Sequence, residues 1–349
     1  LHLQDGSPPI FRIDGELEVT DLSPLDSRDI EKRFVNKVMG EEEKRQFEKT
    51  HQVDFSYSVP EVSRFRVNVF KQKGCVGAVM RAIPFQVPDM DEIGLPPVIK
   101  KLANRPHGLI LVTGPTGSGK STTLASIIDY INRERKAHII TIEDPIEFLF
   151  TNKSCLINQR EVGKDTLSFA AALRDALRED PDVILVGEMR DLETISNAIT
   201  AAETGHLVFA TLHTNDAVQT VDRIMDVFPP HQQEQIRTQL AFTLQGVIAQ
   251  TLLKRKDGGG RVAAFEIMII TPAIKNLIKS GKTPQIYSAM QTGKNKGMRL
   301  MTQSLEELCQ KGLVSREEAL DQDADQGADR KTEEDGRVRT VGRTAEKDW

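Results

Sequence analysis

The 349-residue chain has little sulfur, few aromatic rings and no excess of positive charge. Its three cysteines, Cys75, Cys155 and Cys309, are widely spaced and odd in number. They match neither a zinc site nor a small disulfide framework, and read as free thiols in a reducing compartment. Lys and Arg total 46 against 51 Asp and Glu, a net charge of -5. A dedicated nucleic-acid binder would carry a basic footprint, and none is visible overall. No apolar run approaches the roughly 18 residues needed to cross a bilayer. The opening, Leu1 to Gly6, lacks the basic segment and long apolar stretch of a signal peptide. These absences point to a cytosolic protein that reaches a membrane, if at all, by docking to a partner there.

What is present is globular in character, with 39% hydrophobic and 28% charged residues. The length fits about two domains, each able to bury a core. No internal repeat is visible. Residues 1–88 read as a small α/β domain. Two short strands flank the Asp14-Gly15 turn pair, a helix is expected from Asp26 to Phe47, and alternating strands follow at Phe55–Val59, Ser63–Phe70 and Cys75–Met80. A proline-rich, acidic linker spans 89–97, with Pro84 and Pro88 just before it.

A second domain spans 98–320. Continuous apolar runs at Leu109–Val112, His138–Ile142, Val183–Val186 and Leu207–Ala210 alternate with helical segments, as in a parallel sheet covered on both faces. A hairpin flanks Gly258-Gly259-Gly260, and Thr271-Pro272 starts a helix that Gly281 stops. Residues 321–349 hold two valines and one tryptophan but no Leu, Ile or Phe, so a disordered tail is expected.

The strongest chemical signal is Gly114-Pro115-Thr116-Gly117-Ser118-Gly119-Lys120-Ser121, followed by Thr122. It matches the phosphate-loop pattern in full and sits between an expected strand and an expected helix, the context that motif needs. Glycines let backbone amides converge on phosphate oxygens, and the helix N-terminus adds positive potential. Lys120 is then placed for the β and γ phosphates, and the Ser121 hydroxyl for Mg²⁺.

Three further segments end apolar strands in polar groups. Val183-Ile-Leu-Val-Gly-Glu188 puts Glu188 at a carboxyl edge, where ligand chemistry gathers in open parallel sheets. Glu188 reads as a Mg²⁺ ligand, through water, or as the group orienting the attacking water; alone it is also compatible with a surface carboxylate. The stretch His138 to Glu147 ends in Glu143, Asp144 and Glu147, acids able to activate water or bind metal, or simply to form a turn at Asp144-Pro145. His213 follows Leu207–Ala210 and reads either as a γ-phosphate sensor or as a packing histidine. Arg64 and Arg66 share one strand face, and Arg81 follows another apolar strand. They are either paired with acids or supply charge to a neighbouring subunit's phosphate, as arginine fingers do.

Together these segments resemble the type IV pilus retraction ATPase family (PilT-like) of secretion and pilus motors. The likeness is carried by the phosphate loop, Thr141–Phe148, Leu185–Thr194 and Ala210–Asn215, in order, with further matches at Asn158–Glu161 and Ala170–Asp182. It covers about Leu1 to Leu320. It implies a PAS-like N-terminal domain, a RecA-like ATPase domain, ATP and Mg²⁺ as ligands, and a homo-hexameric ring powering pilus retraction and twitching motility. The implied location is cytoplasmic, at the inner membrane through a platform protein, with the pilin filament an indirect partner and nucleic acid none. By motif position Glu143 leads as the water-activating acid, and Glu188 becomes the Mg²⁺-side or second catalytic acid. Arg66 and Arg81 match arginines expected to face nucleotide.

In that family an initial helix precedes the opening Leu-His-Leu, so the resemblance implies a truncated N-terminus. Ala273-Ile-Lys-Asn-Leu-Ile-Lys279 carries lysines where the family has arginines, which lose the planar bidentate fork. Assembly and secretion ATPases use similar boxes but add N-terminal domains and a four-cysteine zinc site. A DNA translocase is disfavoured by the acidic balance, and a non-catalytic scaffold by the intact phosphate loop.

Overall fold

The structure, a computed structural model, describes residues 1–13, 16–59, 62–83 and 86–322. The expected Asp14-Gly15 turn, Pro84 at the edge of the linker, and all but the first two residues of the expected tail lie outside them. The chain divides into two compact units. The first holds Leu1–Val87, Glu143–Thr151 and Glu161–Asp165; the second holds Pro88–Ile142, Asn152–Arg160 and the chain from Thr166 onward.

The first unit contains a six-stranded antiparallel sheet in the order β3-β2-β1-β6-β5-β4. Its strands are β1 (His2–Leu3), β2 (Ile10–Ile13), β3 (Glu16–Val19), β4 (Gln52–Val59), β5 (Ser63–Gln72) and β6 (Cys75–Ile83). Alternation decides which face is buried. Val67 and Val69 of β5 are fully buried with Val53 and Phe55 of β4, and Ile30, Val35, Met39 and Phe47 complete the core. The single helix expected from Asp26 to Phe47 is two. A helical stretch over 27–38 contains a wide turn at Ile30–Val35, and a second helix runs Glu41–Thr50. Met39 breaks them by turning extended and burying its side chain, and Gly40 starts the second helix from an extended backbone.

The second unit contains a seven-stranded sheet in the order β13-β12-β7-β11-β10-β8-β9. Its strands are β7 (Gly108–Thr113), β8 (His138–Glu143), β9 (Leu156–Glu161), β10 (Val183–Val186), β11 (Leu207–Leu212), β12 (Leu244–Lys254) and β13 (Arg261–Ile269). Strands β12, β7, β11, β10 and β8 are parallel, and β13 pairs antiparallel with β12 through the expected hairpin. Every residue of β7, β10 and β11 is buried, which explains their unbroken apolar sequence.

Helix 120–134 follows β7 directly. Leu124, Ile127, Ile128 and Ile131 recur at helical spacing and are buried. Four other helices of this unit start at side-chain caps. Ser168, Asp191, Asp216 and Thr271 accept hydrogen bonds from the amides of Ala171, Thr194, Gln219 and Ile274. Among the described residues no helix is long and apolar enough to cross a membrane.

Candidate active site

Sheet register gathers the polar groups at one edge of the second unit. Thr113 of β7 pairs with Leu212 of β11, so Gly114 and His213 each lie one residue past a paired position. Val186 of β10 pairs with Ala210, which puts Gly187 and Glu188 beside the end of β11. The phosphate loop, His213 and Glu188 thus leave three neighbouring parallel strands at their carboxyl ends, where apolar strand gives way to loop.

The phosphate loop is a shaped cradle. Gly114 has φ +143, and a Cβ there would lie 2.3 Å from the Gln250 carbonyl oxygen and 2.6 Å from Ser118 Oγ. Gly117 and Gly119 have φ of +82 and +89, the left-handed region glycine adopts without penalty. Gly119 is the N-cap of helix 120–134, no side chain caps that helix, and no acid occupies its first turn. Its N-terminus therefore offers uncapped amides and the positive end of the helix dipole. Pro115, Thr116 and Gly117 form the exposed lip of the loop, while Ser118 is buried. Ser121 and Thr122 sit half-buried in the first helical turn.

Lys120 is 9% exposed. Its ammonium donates to the carbonyls of Gly114 at 2.8 Å and Pro115 at 3.0 Å, spanning the loop it belongs to. Ser118 Oγ and Thr113 Oγ1 are buried without a hydrogen-bond partner. Buried hydroxyls normally find partners, so these orphans mark where a polar ligand would be accepted. The cradle, the uncapped helix and the lysine fit a nucleotide's phosphates. The Ser121 hydroxyl and the Glu188 carboxylate are the groups that could hold Mg²⁺. A few protein oxygens suffice, since Mg²⁺ keeps waters and takes phosphate oxygens.

Sequence reasoning missed Gln250. It lies in β12 beside β7, is 2% exposed, and its amide donates to the Ser118 carbonyl at 2.6 Å. Its backbone presses on Gly114 and its side chain on Gly119, so one residue braces both ends of the loop. A glutamine directly after the apolar run Val247-Ile248-Ala249 was the available signal.

Glu188 and His213, read separately from sequence, are brought together. His213 Nε2 lies 2.9 Å from Glu188 Oε1, and the Arg190 guanidinium contacts the same oxygen. Met189 N donates to the Thr211 carbonyl at 3.1 Å, and Thr211 Oγ1 donates to the Gly187 carbonyl, fixing the Glu188 loop against β11.

Arg66, Arg81 and Glu143 belong to the first unit. Arg66 and Arg81 face each other across β5 and β6. Arg66 makes a forked contact with Asp54, Nη2 to Oδ2 at 2.6 Å and Nε to Oδ2 at 3.0 Å. That hydrogen bonding raises its pKa, against burial, with Glu147 and Asp144 adding in the same direction. Arg81 is exposed. Arg64 turns away to Glu161, which is buried. Glu143 ends β8, and its carbonyl accepts from Val162 N at 2.9 Å.

The chain is similar to known proteins over most of its length. The family described as "Type II/IV secretion system protein" matches residues 10–321. A type IV pilus retraction ATPase, PilT, of Pseudomonas aeruginosa is 55% identical over 319 residues, covering 91% of this chain and 92% of that protein. A twitching motility protein of Neisseria gonorrhoeae is 52% identical, covering 89% and 83%. The crystal structure of the pilus retraction motor PilT with bound ADP superposes with a TM-score of 0.86 at 53% identity, covering 92% of each chain. A RecA-like α/β fold, its phosphate-loop edge and a likeness to these motors over about nine-tenths of the chain lead to one conclusion: the chain belongs to the type II/IV secretion system protein family, among its PilT-like type IV pilus motor ATPases.

Proposed function

We propose that this chain hydrolyses ATP to drive retraction of type IV pili, and thereby twitching motility, as one subunit of a homo-hexameric ring. The observation that carries the reading is the braced phosphate cradle on the same strand edge as the Glu188–His213 pair. The reaction is in-line attack of water on the γ phosphorus, giving ADP and phosphate. The protein's part is positioning and charge, with no covalent intermediate.

Lys120 exchanges its hold on the Gly114 and Pro115 carbonyls for β- and γ-phosphate oxygens. Amides of the loop and of the uncapped helix take the remaining oxygens. Ser121 and Glu188 are the residues that would hold Mg²⁺, which would neutralise charge developing on the transferred phosphoryl group. Glu143 is the candidate to orient and deprotonate the attacking water. His213, tied to Glu188, reports the γ phosphate to that carboxylate. Arg66 and Arg81 are candidates to compensate phosphate charge, which for Arg66 requires release from Asp54.

Domain bounds of 1–88, 89–97 and 98–320 remain our reading of the working parts, with a PAS-like first domain. The antiparallel sheet with β1 between β2 and β6, and helices inserted between β3 and β4, supports that label. The location we infer is cytoplasmic and peripheral, at the inner-membrane platform protein, with pilin as the load.

The test is Mg²⁺-ATPase of Lys120→Ala beside the native chain, across protein concentration. Turnover should fall by at least about 100-fold, as loss of one charge-stabilising donor does. Native turnover should rise as the ring assembles. Retained Mg²⁺-dependent hydrolysis in the variant overturns the assignment.

A further inference from the structure

Glu161 is 3% exposed, yet it is a carboxylate. Burying a charge is costly unless it is paired and hydrogen-bonded. Four donors surround it, all within the first unit. Arg64 Nη2 lies at 2.7 Å, Lys164 Nζ at 2.9 Å, Ser56 Oγ at 3.0 Å and the Ile146 amide at 3.1 Å. Ser56 comes from β4 and Arg64 from β5, whereas Ile146 lies in the acidic segment that starts at Glu143. Lys164 and Arg64 also donate to Ser56 Oγ, each at 2.6 Å, so the two cations, the hydroxyl and the carboxylate form one closed network.

The next residue completes the grip. Val162 N donates to the Glu143 carbonyl at 2.9 Å. The turn from Glu143 to Ile146 is therefore held at both ends by residues 161 and 162. Buried ion pairs add little net stability compared with apolar packing of the same volume, so a network of this kind is better suited to fixing geometry. Arg64 even leaves its own Nε buried without a partner in order to meet Glu161 end-on.

We propose that Glu161 is a positioning residue for ATP hydrolysis: its buried carboxylate clamps the Glu143–Ile146 turn to β4 and β5, so that the water-activating group is carried by the first unit. The inference rests on the reading of Glu143 given above. It makes the first unit's sheet, and not only the strand that ends at Glu143, the frame that sets this acid. Nucleotide binding at the phosphate loop needs none of these contacts. Loss of the clamp therefore slows turnover without weakening the hold on ADP.

The experiment compares Glu161→Gln, Ser56→Ala and Arg64→Lys in the full chain. It reads kcat, KM, MgADP affinity, thermal unfolding and amide exchange over 143–148. Glu161→Gln should lower kcat at least about ten-fold with MgADP affinity within about two-fold of native, and should deprotect the Ile146 amide. Ser56→Ala, the milder change, should lower kcat about three-fold on the same pattern. Arg64→Lys keeps the cation and should stay within about three-fold of native kcat. Native kcat in folded Glu161→Gln overturns the proposal. So does a parallel fall of kcat, MgADP affinity and unfolding temperature, which would mark a merely structural role. If Glu161→Gln does not fold, Ser56→Ala decides alone: unchanged kcat overturns the proposal. Glu143→Gln separates the two readings. Undiminished turnover there removes the role of Glu143 itself, whereas abolished turnover there with native kcat in Glu161→Gln removes only the clamp.

Discussion

The two sheets of this protein solve burial in opposite ways. In the second unit β7, β10 and β11 expose no residue, and their polar chemistry is confined to the carboxyl edge. In the first unit strands β2 and β3 expose seven of their eight residues, while the polar Glu161 network is the part held away from water. A sheet covered on both faces can be apolar throughout and project function only from its ends. A sheet covered on one face must alternate, and it can bury charge where a loop folds back over its strands. The phosphate loop stands on the first kind of sheet, and the turn that begins at Glu143 is held against the second.

Four comparisons test that contrast. The largest effect on ligand binding is expected at Gly114→Ala, where a Cβ meets backbone and Ser118 at a positive φ. MgADP affinity by titration calorimetry should drop by at least about 100-fold, or about 2.7 kcal/mol. Gly117→Ala, with nothing within 4 Å of its Cβ, should cost far less. Equal losses at both would break the claim of a shaped cradle.

Next comes Phe209→Ala in β11. Phe209 is fully buried, and its loss should destabilise the second unit by about 3–5 kcal/mol in urea unfolding. A change under about 1 kcal/mol would show that the strand is not the packed core it looks.

Acid should act through the first unit. Burial pushes the Glu161 carboxyl up, but the hydrogen bonds and charge of Lys164, with the Ile146 amide and Ser56, outweigh it and hold it below its ordinary value. A group depressed in the folded state stabilises above its unfolded pKa and loses that contribution as pH falls through the folded one. Urea unfolding between pH 6 and 3 should therefore show a steeper acid loss in the native chain than in Glu161→Gln. Identical acid limbs would contradict it. The smallest effect is expected at Phe11→Ser on β2. Phe11 is 43% exposed, and the change should stay within about 0.5 kcal/mol. A larger loss would mean that the hairpin is covered in solution.

Much of this was legible in order along the chain. The apolar runs at 109–112, 183–186 and 207–210 became buried parallel strands because nothing but burial on both faces tolerates them. The phosphate loop was legible because its glycines have no other conformational reason to stand at that spacing. Strand β9 was not foreseen, since Leu156-Ile-Asn-Gln-Arg-Glu161 is polar and lies at a sheet edge. The break at Met39 was missed because helical periodicity continues across it while the core pulls that side chain out of phase.

The sequence by itself determined the parallel sheet, the phosphate cradle and the family, because each depends on local spacing and on motifs contiguous in the chain. Only the tertiary structure decided that Gln250 braces the loop from 132 residues away, that His213 meets the Glu188 carboxylate, and that Glu143–Thr151 and Glu161–Asp165 belong with the first unit. Those relations join residues distant in sequence. Side-chain pattern along a strand says which face is buried, but which partner meets a buried polar group is settled by the packing that brings the two together.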